Sequence, residues 1–206
     1  MSEISREGLS LQEANKVAIM IHGRGANANS ILSLKDYLNL EGFALLAPNA
    51  QNGTWYPYSF MAPDAQNEPA FSQAIKQIGE LVQECMEQGF DSEDIFFIGF
   101  SQGACLALEY AAQHASKYGG VIAFTGGLIG EKIREEKYQG DFAGTKVFIG
   151  SSNRDMHVPL SRIQDSAKLI EKMGANVKTL IFEDPQHTIR EEEMDWVNKN
   201  ILLDEV

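Results

Sequence analysis

The stretch that decides the fold is Ile95-Phe96-Phe97-Ile98-Gly99-Phe100-Ser101-Gln102-Gly103. Its first four residues form a short apolar run typical of a buried strand, and a helical stretch follows from residue 104 to 114. Gly-x-Ser-x-Gly between a strand and a helix is the pattern of a nucleophile elbow, a tight turn that raises a serine hydroxyl above the sheet. Side chains two residues from the serine would collide there, and Gly99 and Gly103 remove them. Ser101 is therefore a candidate nucleophile; the competing interpretation is a strand–helix turn with an incidental serine.

Short apolar runs alternate with helical periods along nearly the whole chain. Because each run is short and mostly apolar, we predict six buried strands, at residues 17–21, 43–47, 95–99, 121–124, 146–150 and 177–182. The helical periods between them carry apolar residues every three or four positions. This alternation predicts an α/β protein, with a mostly parallel sheet covered by helices on both faces. No repeat or linker divides residues 1–206, so we expect one domain.

Two long irregular segments, residues 48–69 and 125–144, each follow a predicted strand. Loops at the carboxyl ends of parallel strands build the sites of such proteins, so both segments are candidate site walls. The last helix is predicted to begin after Thr188 as its N-cap, because Glu191 stands three residues later and completes a capping box.

Composition excludes several partners. The 206 residues include 17 Lys and Arg against 29 Asp and Glu, a net charge of −12, which disfavours nucleic acid and stable membrane association. No apolar run approaches the roughly 18 residues of a transmembrane helix, and residues 1–10 lack the apolar region of a signal peptide. Cys85 and Cys105 both fall in helical periods, which favours buried free thiols over a disulfide. We therefore expect the protein to be located in the reducing cytoplasm.

A serine nucleophile needs a base to remove its proton, and the chain has four histidines. In proteins with this elbow the acid and the histidine follow the serine in chain order, which excludes His22. His114 lies near the far end of the helix that Ser101 precedes, about 18 Å away at the rise of an α-helix. His157 and His187 remain as candidate bases.

The base also needs a carboxylate that orients it. Asp155 and His187 each follow their own successive predicted strand, so both reach the same sheet edge, and we favour this pair. With His157 as the base, the acid would have to come from an earlier loop, for example Asp141. Asp184 is close to His187 in sequence, and we expect it to cap a turn instead.

The first predicted strand leads into His22-Gly23-Arg24-Gly25-Ala26. Hydrolases with a nucleophile elbow place a second backbone donor for an oxyanion at this position. Together with the elbow, the stretch from Asp155 to Pro159 and His187, this motif resembles the phospholipase/carboxylesterase family of α/β-hydrolases. The motifs extend over most of the chain. The resemblance implies the α/β-hydrolase fold without a large cap domain.

The resemblance also implies roles for individual residues. Ser101, Asp155 and His187 would form the catalytic triad, in agreement with the chain order. The backbone N–H groups of Arg24 and Gln102 would form the oxyanion hole.

Substrate-binding residues are expected around these groups. The Arg24 side chain would either bind a substrate carboxylate or pair with a nearby acidic residue to hold its loop, and His157 would either line the pocket or bond near the acid loop. The first irregular segment contains aromatic residues that either pack the loop or form the wall of an acyl pocket. They are Trp55, Tyr56, Tyr58 and Phe60, with Trp55 and Tyr56 the stronger wall candidates.

These features predict a carboxylic-ester hydrolase that works through a serine acyl-enzyme on short acyl or small soluble esters. We expect no lid after the nucleophile helix, because residues 131–140 offer only Ile133 and Tyr138 as large apolar groups. A thioesterase or a lysophospholipase would use the same residues, and a non-catalytic binding module of the same fold is the rival from another class. No cysteine and histidine cluster has metal-ligand spacing and no glycine-rich phosphate motif occurs, so neither a metal nor a cofactor is expected. The expected partner is a small ester substrate; a monomer and a homodimer both remain open.

Overall fold

The computed structural model describes residues 3–203, whose strands form one seven-stranded sheet. Within these residues, no helix combines the length and hydrophobicity that a membrane span requires. The strands are β1 (Ile4–Gly8), β2 (Lys16–Ile21), β3 (Phe43–Pro48), β4 (Ile95–Phe100), β5 (Gly120–Phe124), β6 (Lys146–Ser152) and β7 (Asn176–Phe182). The α-helices are α1 (Ala28–Leu32), α2 (Asp64–Asn67), α3 (Ala70–Glu87), α4 (Gln102–Gln113), α5 (Leu160–Lys172) and α6 (Glu191–Asn200). Short 3₁₀ turns cover Ser33–Asp36, Gln51–Gly53, Ser92–Asp94 and Glu135–Lys137.

The strand order across the sheet is β1-β3-β2-β4-β5-β6-β7. β1 runs antiparallel to β3, and the other neighbouring pairs are parallel. The six strands predicted from apolar runs are present, and five of them are mostly buried as predicted. The sixth, β7, was predicted as buried but lies at the sheet edge, and none of its residues is buried. The apolar pattern did not predict β1, because this edge strand has the sequence ISREG and none of its residues is buried.

Helices cover both faces of the sheet. Side chains of β2 alternate between two apolar clusters: Val17, Ile19 and Ile21 join the cluster with α3, α4 and α5, and Ala18 and Met20 join the cluster with α1 and α6. A strand buried on both faces is apolar throughout, which explains why the central strands were recognisable as continuous runs. The mostly parallel sheet between two helical layers is the α/β arrangement that the sequence predicts.

Ser101 lies in the sharp turn between β4 and α4, with φ 53° and ψ −116°, a strained conformation for a residue with a side chain. A Cβ atom at Gly99 would overlap the carbonyl of Gly103, and one at Gly103 would overlap the carbonyl oxygen of Ile21 in β2. Both overlaps involve backbone, which cannot move aside. The turn therefore requires glycine on both sides of the serine, as the Gly-x-Ser-x-Gly pattern predicts.

The last helix begins later than the sequence predicts. Arg190 is its N-cap, and α6 starts at Glu191 rather than after Thr188. The reason is Glu193, whose Oε2 accepts the backbone N–H of Arg190 at 2.7 Å and so closes a capping contact two residues further along the chain. The Thr188 hydroxyl instead lies near the carbonyl of Ile189, at 3.4 Å.

Arg190 ties the loop before α6 to the sheet. Its Nη2 donates to Asp184 Oδ1 at 2.6 Å and to Ser152 Oγ at 2.8 Å, and its guanidinium lies 4.2 Å from the ring centroid of Phe182. Ser152 belongs to β6 and Phe182 to β7. The loop that carries His187 is therefore anchored to two strands of the sheet.

Glu193 is a fully buried carboxyl behind the same loop. Its Oε1 packs against Gly150 of β6 and accepts no hydrogen bond from residues 3–203. Burial raises the pKa of Glu193 to about 7, although the N–H and the charge of Arg190 offset part of the effect. The protein thus folds around a carboxyl that favours its neutral form near neutral pH.

Glu193→Gln should become more stable relative to the wild type as pH rises from 4.5 to about 7, the ordinary and folded pKa values of this carboxyl. The folded state binds the proton more tightly than the unfolded chain, so the wild type loses stability across this window while glutamine does not titrate. The gain is at most roughly 3 kcal/mol above pH 7. Denaturant unfolding at several pH values measures it.

Glu191→Gln is the matched control, because Glu191 is an exposed carboxyl in the same helical turn. Its stability relative to the wild type should show no comparable slope. A Glu193→Gln difference that stays flat between pH 4.5 and 7 would contradict a raised pKa at this site.

Candidate active site

A cavity of about 580 Å³ opens at the carboxyl edge of the sheet, directly above Ser101. Its walls are the loop after β3, within the segment 48–69, and the loop after β6. Of the two long irregular segments predicted as walls, only the first contributes. The lining residues are Arg24, Tyr56, Pro57, Tyr58, Ser59, Phe60, Ser101, Gln102, Cys105, Met156, His157, Val158 and His187.

The segment 125–144 is held against the helices instead, which corrects the expectation that it forms a wall. Arg162 of α5 donates to the carbonyls of Leu128 and Gly130 at 2.9 and 2.7 Å. The buried Glu109 of α4 accepts the N–H of Ile129 at 2.8 Å. Buried polar side chains that satisfy loop backbone in this way fix the segment away from the cavity.

Ser101, His187 and Asp155 form one hydrogen-bonded chain. Ser101 Oγ lies 2.8 Å from His187 Nε2, and His187 Nδ1 lies 2.7 Å from Asp155 Oδ2. A carboxylate only accepts, so Nδ1 carries the hydrogen and Nε2 is the atom that can accept the serine proton. The structure brings together the three residues that the sequence selected as nucleophile, base and acid.

The second oxygen of Asp155 is held by backbone. Its Oδ1 accepts the N–H groups of His157 and Val158 at 2.7 and 3.1 Å, and the side chain is buried. Two backbone donors and the imidazole therefore fix the orientation of this carboxylate, which in turn fixes His187.

The alternatives considered for base and acid lie elsewhere. The His157 ring packs edge to face on the His187 ring, with centroids 4.9 Å apart, and lines the cavity. Asp184 Oδ1 accepts the N–H of Gln186 at 2.8 Å, and this bond is the main cause that lowers the pKa of Asp184. Asp184 thus caps a turn, as expected. Asp141 is exposed and its Oδ1 accepts the N–H of Ala143 at 2.7 Å.

The loop after β2 packs against Ser101. A Cβ atom at Gly23 would lie 3.4 Å from the Cβ of Ser101. His22 Nε2 accepts the N–H of Ala50 at 3.1 Å, so its Nδ1 carries the hydrogen and donates to the carbonyl of Gly23 at 2.7 Å. Burial lowers the pKa of His22, which keeps the ring neutral in this role.

Two backbone donors near Ser101 are unused. Within residues 3–203, neither the N–H of Arg24 nor that of Gln102 has a hydrogen-bond acceptor. Gln102 opens α4, and the first N–H groups of a helix have no partner inside it. Both groups are therefore free to donate to a bound oxygen, as the predicted oxyanion hole requires.

The Arg24 side chain holds the opposite wall. Its guanidinium donates to the carbonyls of Tyr56, Pro57 and Tyr58 at 3.0, 2.9 and 2.7 Å. Of the two roles expected for this side chain, the structure supports the loop-holding one. The acceptors are backbone carbonyls rather than the acidic residue that the sequence suggested.

Gln102 has a second role that the sequence did not reveal. Its side chain is buried, accepts the N–H of Trp55 at 2.9 Å through Oε1, and donates to the carbonyl of Tyr56 at 2.9 Å through Nε2. The residue after the serine thus also connects the elbow to the wall loop. The sequence does not reveal this role, because it does not show that the elbow and the wall loop meet at the Gln102 side chain.

The aromatic residues of the wall divide into two groups. Tyr56, Tyr58 and Phe60 line the cavity, whereas Trp55 does not. The indole of Trp55 is buried and donates to the carbonyl of His22 at 2.8 Å. Trp55 therefore packs the loop, and its predicted place in the cavity wall is wrong.

Five cavity residues were not predicted individually as site residues: Pro57, Ser59, Cys105, Met156 and Val158. Cys105 lies one turn after Ser101 on α4, a spacing that could have identified it; burial raises the pKa of its thiol to about 12, so it is neutral. Both cysteines are buried and free, as expected. Met156 and Val158 line the cavity on either side of His157.

Comparisons with known proteins agree with this fold. A crystal structure of a phospholipase/carboxylesterase from Dyadobacter fermentans is 48% identical, with a TM-score of 0.97 over 98% of this chain and 97% of that one. An acyl-protein thioesterase 1 from Kluyveromyces lactis is 30% identical over 183 residues, 78% of each chain. The Bacillus cereus carboxylesterase, at 20% identity and a TM-score of 0.77 over 97% of this chain and 94% of that one, shares the fold. The model of the Phospholipase/Carboxylesterase family matches residues 9–203, and the chain belongs to this family of α/β-hydrolases.

Proposed function

We propose that this protein is a serine esterase that hydrolyses carboxylic esters through an acyl-enzyme on Ser101. The observation that carries the proposal is the hydrogen-bonded chain from Ser101 through His187 to Asp155 at the floor of an open cavity. A hydroxyl, an imidazole and a carboxylate in this order are the groups that nucleophilic acyl transfer needs.

The first half of the reaction acylates the serine. Ser101 Oγ attacks the ester carbonyl carbon while His187 Nε2 accepts the hydroxyl proton, and the carbonyl electrons move onto the oxygen. The N–H groups of Arg24 and Gln102 donate to that oxyanion. When the tetrahedral intermediate collapses, the bond to the alcohol breaks and His187 gives the proton to the departing oxygen.

The second half returns the enzyme to its starting state. Water attacks the acyl-enzyme as His187 accepts its proton, the bond to Ser101 Oγ breaks, and the proton passes back to the serine. Asp155 holds the ring of His187 in orientation and stabilises the imidazolium. Two backbone donors fix the position of this carboxylate. The acid leaves as the second product.

The cavity favours short acyl groups. Its volume of about 580 Å³ must hold both the acyl and the alcohol portions of the ester. The segment 125–144 is bonded to Arg162 and Glu109 and does not close over it. Methylenes beyond the wall would remain in water and gain little of the roughly 0.8 kcal/mol that each buried methylene contributes.

A thioesterase is the second candidate, because the Kluyveromyces lactis relative at 30% identity is named an acyl-protein thioesterase. Thioesters would use the same residues and differ only in the sulfur of the leaving group. The two free buried cysteines support a reducing compartment such as the cytoplasm.

Ser101→Ala and His187→Ala should each lower kcat for p-nitrophenyl acetate by about three orders of magnitude or more, because each removes one member of the catalytic unit. His157→Ala is the matched control, since His157 touches the His187 ring but not Ser101, and it should keep most of the activity. A dead His157→Ala beside an active His187→Ala would overturn the assignment, and an inactive wild type would favour a binding module.

The acyl preference is tested by a series of p-nitrophenyl esters. We expect kcat/KM to peak at acyl chains of about two to six carbons, with no rise in rate above the micellar threshold, because no lid covers the cavity. A preference for long chains, or a jump in rate at micelle formation, would show that the segment 48–69 acts as a lid.

A further inference from the structure

The mouth of the cavity exposes apolar side chains. Most large apolar residues are buried, and two of the exceptions, Tyr58 and Met156, line the cavity from opposite loops. Met156 is 91% exposed, the highest value among the large apolar side chains of residues 3–203. An exposed apolar surface at a binding cleft favours an apolar ligand, because binding removes that surface from water.

Met156 is held in place although its side chain is free. It lies between Asp155 and His157, and Asp155 Oδ1 accepts the N–H groups of the two residues that follow Met156. The backbone on both sides of Met156 is therefore fixed by the same carboxylate that orients His187. An unbranched, flexible side chain on a fixed backbone can adapt to ligands of different shape.

The position of Met156 identifies which half of the ester it meets. The departing alcohol must lie beside His187, because this ring delivers its proton. The neighbour of Met156, His157, packs on the His187 ring with centroids 4.9 Å apart. The loop that bears Met156 thus flanks the leaving group, whereas Cys105 and Phe60, both buried, line the inner part of the cavity.

We propose that Met156 is a specificity-determining residue that binds the apolar body of the leaving alcohol, so that the preferred substrates are short acyl esters of bulky apolar or aromatic alcohols. This inference rests on the proposed esterase function. The acyl group occupies the inner cavity, and the alcohol extends past Met156 toward solvent.

The test compares 2-naphthyl acetate with phenyl acetate, which have leaving groups of similar acidity but different apolar area. Met156→Gln should lower the ratio of kcat/KM for 2-naphthyl acetate to kcat/KM for phenyl acetate about five- to tenfold. This is the size expected for partial burial of a methionine side chain. Met156→Leu should retain the wild-type ratio. The effect should appear in kcat/KM, because both esters give the same acetyl-enzyme, which no longer contains the alcohol.

Met86→Gln is the matched control, because Met86 is an exposed methionine on α3 that does not line the cavity, and its ratio should equal that of the wild type. An unchanged ratio in Met156→Gln, or an altered preference between phenyl acetate and phenyl butyrate instead, would overturn the inference. If the wild type turns over phenyl acetate, either result leaves the esterase proposal intact. A wild type that is inactive on both 2-naphthyl acetate and phenyl acetate contradicts the esterase proposal itself.

Discussion

The rest of the structure depends on the close approach of backbone at the turn from β4 into α4. Gly103 lies so near the carbonyl of Ile21, and Gly99 so near that of Gly103, that neither position admits a side chain. This packing holds Ser101 at φ 53°, with its hydroxyl above the sheet. It also brings the end of β2 against the start of α4, so that Gly23 reaches the serine. The positions of Ser101 and of the loop with the second free N–H group are thus set by one contact.

The surrounding loops take their positions from buried polar groups that radiate from this turn. Gln102 and Arg24, the residues whose N–H groups are free near Ser101, use their side chains to hold the wall loop through its backbone. Arg190 ties the His187 loop to β6, and Asp155 uses one oxygen for the imidazole and the other for its own loop. Such a site needs little rearrangement when a substrate binds, since its donors and acceptors already have fixed directions.

The predictability of each feature follows from the range of the interaction that produces it. The central strands and the elbow depend on apolar runs and on glycines two residues from Ser101, which are local patterns. The start of α6 was misplaced because the choice between Thr188 and Arg190 as N-cap depends on Glu193, which is buried against Gly150, a residue distant in sequence. Trp55 was misplaced for the same reason: its indole bonds to His22. The exposure of Met156 is visible only in three dimensions.

We propose that the strained turn makes Ser101 the single covalent nucleophile of the site. The most direct measurement is intact-protein and peptide mass spectrometry after reaction with an alkyl fluorophosphonate, which phosphonylates an activated serine and expels fluoride. We predict one adduct per chain, on the peptide that contains Ser101, and none in Ser101→Ala. An adduct on another residue, or an unmodified Ser101 after the reagent has been consumed, would contradict the account.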